Sequence, residues 1–256
     1  MRVIYILGAG RSGSTLLDIV LGSAPCCFSC GEVRKFTQLK GVANGAKHGD
    51  ERFAFWQSIW KRFSGEDIVW SDLHKHSCFP AIFLGVANRD RLRIYSQQNK
   101  EMFDLIGKVS GCNVLIDSSK YPTRALLLAG MDGVEVSYIY LRRRLSGVLA
   151  SFSKQNVEQP SKAKILAIVY YLAMNMFSWL AVLKLRGKHQ VISLSYEEMI
   201  DNPARVFSHL GATLKMDLAT TVHNIQSGRP VEVGLLFEGN RIREMNSIIV
   251  GRNRGD

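Results

Sequence analysis

Apolar and polar positions fall into two kinds of run along the chain. Val3 to Leu7 is an unbroken apolar run of strand length, followed at once by the glycine-rich turn GAGRSG and then by Ser14 to Gly22, which reads as a helix. Further strand-like runs lie at 114–117, 136–142 and 190–195, with helical segments between them. Strands alternating with helices predict an α/β fold with a central, doubly wound parallel sheet flanked by helices. Ligands of such sheets sit at the carboxyl ends of the strands. The polar clusters GAGRSGST, DSSKYP and RRRLSGVLAS follow the first three of these strands, so three loops are expected to face one cleft.

Two stretches depart from this rhythm. Ile165 to Leu183 is interrupted only by Asn175, Ser178 and tyrosines, and at helical rise it could almost span a bilayer. Because it lies between the strand-like segments at 136–142 and 191–196, the expectation is a fully buried crossover helix without stable membrane insertion. The region from about 34 to 110 is rich in aromatics and charge, with Phe53, Trp56, Trp60 and Phe63 at helical spacing. It predicts a helical insertion that packs its own core and offers some side chains to an acceptor.

A length of 256 residues with 46% hydrophobic positions fits one compact domain, 1–256. The net charge of +11 points to an anionic ligand, a nucleic acid or a membrane surface. The basic residues are scattered, densest at Arg142–Arg144 and from Arg241 to Arg254, and no nucleic-acid module accompanies them, so nucleic acid ranks low. The first apolar run ends in the glycine turn and reads as a strand of the fold instead of a secretory signal, which leads to the expectation of a cytoplasmic protein. Five cysteines suit reduced thiols. Cys27 and Cys30 form one CxxC, with Cys26, His74, His76 and Cys78 as conceivable zinc ligands, but a second CxxC is missing and no metal is expected.

The chemistry begins at the glycine turn. Gly8 and Gly13 hold the spacing of a phosphate-binding loop, but Ser14 stands where a nucleotide triphosphatase needs its lysine. Free amides and the positive end of the following helix favour an anion, and Arg11 can add a charge-assisted hydrogen bond. Without the lysine a triphosphate loses its main grip.

Several separated segments resemble the sulfotransferases that use 3′-phosphoadenosine 5′-phosphosulfate (PAPS). GRSGSTLL is similar to the family's 5′-phosphosulfate loop, which implies cofactor contacts from Gly10, Arg11, Ser12, Gly13, Ser14 and Thr15. YLRRRLSGVLASF resembles the 3′-phosphate segment, in which an arginine at a strand end and a serine eight residues on bind that phosphate; Ser151 selects Arg143, with Arg142 and Arg144 open as replacements. The family often continues Asp-Pro-Arg here, and this chain does not. SCGEVRKF resembles the segment carrying a glutamate base in tyrosylprotein and some bacterial sulfotransferases, which places Glu32 in that role. DSSKYP resembles the segment whose lysine contacts the transferring sulfuryl group, here Lys120, with Arg11 assisting. SYEEMIDNP, with Tyr196, is similar to a YEDL-like segment of the family, and FEGNRIRE, with Gly239, Asn240 and Arg241, resembles a C-terminal GNR loop that closes over the cofactor.

The resemblance implies a P-loop-like sulfotransferase fold, PAPS as co-substrate, 3′,5′-ADP as product, no metal, and a small-molecule acceptor such as a carbohydrate or specialised metabolite. O- or N-sulfation and the oligomeric state stay open. Duller roles exist for each residue: Glu32 as a helix cap or a partner of Arg34 or Lys35, Lys120 as a solvated lysine, Arg143 as cover for a strand end. A histidine (His48, His74 or His76) is the alternative base, and Asp50, Glu51, Glu66, Asp67 and Asp72 form either a cation-selective pocket or a solvated face. The other functional classes are a P-loop kinase-like phosphotransferase and a noncatalytic nucleotide- or membrane-surface-binding protein.

Overall fold

The computed structural model describes residues 1–63, 73, 78–153 and 164–251. Strands β1 (Arg2–Leu7), β2 (Cys27–Gly31), β3 (Val114–Lys120), β4 (Glu135–Arg142) and β5 (Val191–Ser195) form a parallel sheet in the order β2-β3-β1-β4-β5. Helix α1 (Ser14–Gly22) follows β1. Helices α2 (Glu51–Trp60), α3 (Phe79–Leu84) and α4 (Arg89–Ser110) lie between β2 and β3, and α5 (Pro122–Leu128) between β3 and β4. Helices α6 (Leu145–Phe152) and α7 (Lys164–Leu185) join β4 to β5, and α8 (Tyr196–Asp201), α9 (Pro203–Leu214) and α10 (Ala219–Gln226) follow. A short antiparallel pair, β6 (Val231–Glu232) and β7 (Ser247–Ile248), completes the described elements.

The first strand shows why the sheet is covered on both faces. Side chains alternate along a strand, and Val3, Tyr5 and Leu7 join one core cluster while Ile4 and Ile6 join another. The first cluster takes in α4 through Met102, Phe103 and Ile106 and α7 through Ala181, Val182 and Leu185. The second packs α1 and α9 through Leu17, Val20, Phe207 and Leu210. The expected α/β architecture, a central parallel sheet flanked by helices, is the one observed.

Three sequence expectations need correction. The edge strand β2 was not foreseen, because CFSCG offers little apolar run and contains the cysteine pair. Residues three apart on a strand face opposite ways: Cys30 enters the first core cluster and Cys27 packs against the second, so the two thiols do not converge on a metal. The aromatic region does not keep a core of its own. Trp56 and Ile59 of α2 and Phe79 of α3 share one cluster with Val3, Tyr5 and Leu115 of the sheet, and the Trp56 indole donates to the Leu235 carbonyl at 2.6 Å. Finally, α7 is the crossover between β4 and β5 but is far from fully buried: Ile165 is 75% and Trp179 53% exposed.

A buried ionic network fixes β3. Arg124 and Asp117 are both fully buried; the guanidinium donates from Nε to Oδ2 at 2.9 Å, with Nη2 2.8 Å away, and from Nη1 to Tyr95 at 2.6 Å and Asn99 at 2.8 Å. Oδ1 of Asp117 accepts the Ser119 amide at 2.9 Å. The last turn of β3, which carries Lys120, is thus tied to α4 and α5.

Candidate functional site

The loop after β1 is shaped by backbone that only certain residues tolerate. Gly13 has φ 93°, and a Cβ there would lie 2.3 Å from the Tyr196 ring, so glycine is required twice over. Arg11 (φ 67°) and Lys120 (φ 73°) also occupy the left-handed region, unusual for side-chain-bearing residues and a mark of functional loops. The C-terminal GNR segment lies on this loop, with the Asn240 amide donating to Thr15 Oγ1 at 3.0 Å. The fully buried Arg243 guanidinium supports that segment by donating to the Gly239 carbonyl at 2.9 Å and the Asn44 carbonyl at 3.3 Å.

At the end of β4 the three arginines take separate paths. Arg142 is exposed over the Tyr140 ring at 5.9 Å, and Arg144 is exposed, its amide donating to Glu197 at 3.0 Å. Arg143 turns inward, donates to the Arg11 carbonyl at 2.8 Å, and stacks 4.1 Å over the Tyr196 ring. It shares a cavity wall with Ser151 of α6.

Glu32 sits just past β2, where Gly31 (φ 69°) lets the chain approach within a Cβ distance of 2.3 Å of the Glu238 carbonyl. The Glu32 amide donates to that carbonyl at 2.8 Å. The Glu32 side chain is only 7% exposed. Its Oε1 accepts from the Lys120 ammonium, and its Oε2 lies 3.1 Å from Lys35, which also reaches Glu238 at 3.3 Å. Burial alone would raise the Glu32 pKa, but the charges of Lys120, Lys35 and Arg34 outweigh it and bring it down to about 2. Pairing with Lys35, the duller role weighed for this residue, therefore occurs together with contact to Lys120.

A cavity of about 430 Å³ opens at the carboxyl ends of the strands, within the range of small-molecule sites. Gly10, Arg11, Gly13, Ser14, Thr15, Glu32, Lys120, Arg143, Ser151, Tyr196, Gly239, Asn240 and Arg241 all line it. Ser12, a residue of the same loop, does not; it is buried. The described residues of 34–110 do not line it either, although Lys35 braces Glu32. His48 is exposed against the Phe53 ring at 4.3 Å, away from the cavity. Asp50 and Glu51 are exposed. His74, His76, Glu66, Asp67, Asp72 and Arg254 lie outside the described residues. Among the described residues no group of His, Cys, Asp or Glu is arranged to hold a metal ion.

Sequence reasoning missed two groups that shape this site, one fully buried and one half-buried. Asp18, fully buried in α1, accepts from the Gly31 amide at 3.0 Å and from Ser118 at 2.6 Å, so one carboxyl joins the segments that carry Glu32 and Lys120. A charged residue inside the apolar stretch after the loop was the available signal. Tyr170 of α7 accepts the Gly10 amide at 3.0 Å through its hydroxyl. It was visible only as a polar interruption in an apolar run.

The loop, the start of α1, Arg143 and Ser151 share the wall of this one cavity, and the Arg143 guanidinium touches the loop at the Arg11 carbonyl. Solved structures share the fold. The sulfotransferase domain of the curacin biosynthetic pathway aligns at TM-score 0.54 and 17% identity, covering 97% of this chain and 83% of that one. A sulfotransferase from Mycobacterium avium aligns at TM-score 0.50 and 13% identity, covering 88% and 67%. The sulfotransferase domain of a Synechococcus olefin synthase gives TM-score 0.49 at 19% identity, covering 88% and 76%. No protein-family profile and no curated protein sequence matches the chain. The fold is that of sulfotransferase domains, and at these identities the likeness concerns the fold alone.

Proposed function

We propose that the protein is a PAPS-dependent sulfotransferase that passes the sulfuryl group to a hydroxyl or amine of a small-molecule acceptor, releasing 3′,5′-ADP. The observation that carries this reading is the contact of Lys120 with Glu32 in the same cavity as Arg143 and a lysine-free phosphate loop. A donor with a 5′-phosphosulfate and a 3′-phosphate calls for two anion sites. The loop from Gly10 to Thr15 serves the first, and Arg143 with Ser151 the second. Tyr196, Gly239, Asn240 and Arg241 would enclose the nucleotide.

Lys120 stabilises the charge that develops on the bridging oxygen of the departing nucleotide, with Arg11 assisting, much as cations do in phosphoryl transfer. Glu32 takes the proton of the attacking acceptor group. A carboxylate with a pKa of about 2 is always ionised near neutrality but is a weak base while Lys120 and Lys35 neutralise it. When Lys120 turns its ammonium to the bridging oxygen, Glu32 loses its closest cation and its basicity rises at the step that needs it. The same ion pair thus couples leaving-group stabilisation to proton removal. The region 34–110 belongs to the same single domain in this reading and approaches the acceptor through Lys35, which braces Glu32.

The test is calorimetric titration with 3′,5′-ADP, and separately with ATP and magnesium, on wild type and Arg143→Ala. Binding of 3′,5′-ADP that weakens at least ~10-fold in the variant supports the two-anion site. Binding of ATP with magnesium alone would overturn it in favour of phosphoryl transfer.

A further inference from the structure

The outer face of α7 is a continuous apolar stripe. Ile165, Val169, Leu172, Met176, Trp179 and Leu183 recur at spacings of three and four residues, on one side of the helix, and are 75%, 58%, 59%, 51%, 53% and 49% exposed. The opposite side is held by the fold: Ala181, Val182 and Leu185 belong to the core beneath the sheet. At the helix's C-terminal end the stripe continues toward Leu84 and Val86, 70% and 74% exposed, because the Lys184 ammonium donates to the neighbouring Phe83 carbonyl. A patch of this extent on a soluble protein marks an interaction surface.

Along the helix itself the charges are all of one sign. From Lys164 to Gln190 the chain contains no Asp or Glu, and the exposed charged residues stand only at the two ends: Lys164 at one, Lys184, Arg186 and Lys188 at the other. A second copy of the chain would be a poor match. Two α7 helices paired in either direction across a two-fold axis bring a basic end against a basic end, with no carboxylate on the helix to offset it. An anionic lipid surface supplies the missing counter-charge, and the overall charge of +11 adds longer-range attraction to it.

We propose that α7 docks the protein peripherally on an anionic membrane surface, its axis in the plane of the interface and its apolar stripe seated among the acyl chains. The inner face, packed against β4 and helices α3, α5 and α6, prevents the helix from crossing the bilayer. Trp179 sits in the part of the stripe nearest the basic end, suited to the headgroup boundary. Lys164, Arg186 and Lys188 reach the phosphates on either side, and an apolar face of this kind enters about 5–10 Å.

The test is co-sedimentation of the full chain with vesicles of phosphatidylcholine alone and of phosphatidylcholine mixed with phosphatidylglycerol. Wild type should pellet with the mixed vesicles only, and added salt should release it. Leu172→Glu and Trp179→Glu, at exposed positions, should weaken binding more than about tenfold with an unchanged thermal midpoint. Arg186→Glu combined with Lys188→Glu should weaken it by a similar factor. Wild type left in the supernatant, equal binding to both vesicle types, or a dimer in light scattering that Leu172→Glu converts to monomer would each overturn the proposal. None of these readouts depends on the donor, so they stand or fall separately from the enzymatic reading.

Discussion

The ammonium of Lys120 and the carboxylate of Glu32 meet although the residues are 88 positions apart, one in the left-handed turn that ends β3 and the other just beyond the neighbouring edge strand β2. Adjacent parallel strands end at the same side of the sheet, so their terminal side chains can share a charge. If the proposed mechanism holds, Glu32→Gln lowers kcat by ~10² or more and changes 3′,5′-ADP affinity by less than about threefold. An acceptor screen with labelled PAPS, run beside calorimetry, reads both. Equal losses in rate and affinity, or undiminished turnover, would remove Glu32 from the role of base.

Stability should depend on pH through two buried carboxyls with opposite signs. The Glu32 pKa is lowered from 4.5 to about 2, so its ionised form contributes stability that is present above pH 4.5 and lost as the pH falls toward 2. Asp18 is raised from 3.8 to about 7, first by burial and, among the remaining contributions, by the nearby charge of Asp117. The native state then holds the proton that the unfolded chain releases, and stability falls as pH rises from about 4 to 7. Asp18→Asn should flatten that part of the profile, by roughly 2–4 kcal/mol over the interval. Urea midpoints measured from pH 4 to 8 check this; an unchanged slope in the variant would contradict it.

The Asp117–Arg124 pair offers a purely structural prediction. Removing one member leaves a fully buried charge without its partner, so Arg124→Ala should cost about 3–5 kcal/mol. Arg142→Ala, at an exposed position, should change stability by less than about 0.5 kcal/mol. Chemical denaturation of the two variants side by side decides the matter.

Gly13→Ala should damage the loop without touching any ionic group. Its φ of 93° disfavours a Cβ, and the added atom would meet the Tyr196 ring at 2.3 Å. We expect a stability loss of about 1–3 kcal/mol and weaker 3′,5′-ADP binding. A crystal structure of the variant with an unmoved Tyr196 ring would contradict the stated cause.

The strands β1, β3, β4 and β5, the glycine loop, and the polar clusters at the strand ends were legible in the sequence because each depends on neighbouring residues: a run of apolar side chains, a glycine where φ is positive, a helix start directly after a turn. The absence of a P-loop lysine at Ser14 was equally plain. Tertiary structure alone decided what depends on distant partners. It set CFSCG as an edge strand because β3 supplies the ladder that its own composition does not demand. It separated Arg143 from Arg142 and Arg144, since only the fold places the Tyr196 ring and the Arg11 carbonyl beside one of the three. Apolar periodicity along Ile165 to Leu183 told that a helix forms but not which side is covered; with sheet and neighbouring helices against one face only, the other is left bare. Local pattern specifies the elements, and burial is a property of what packs against them.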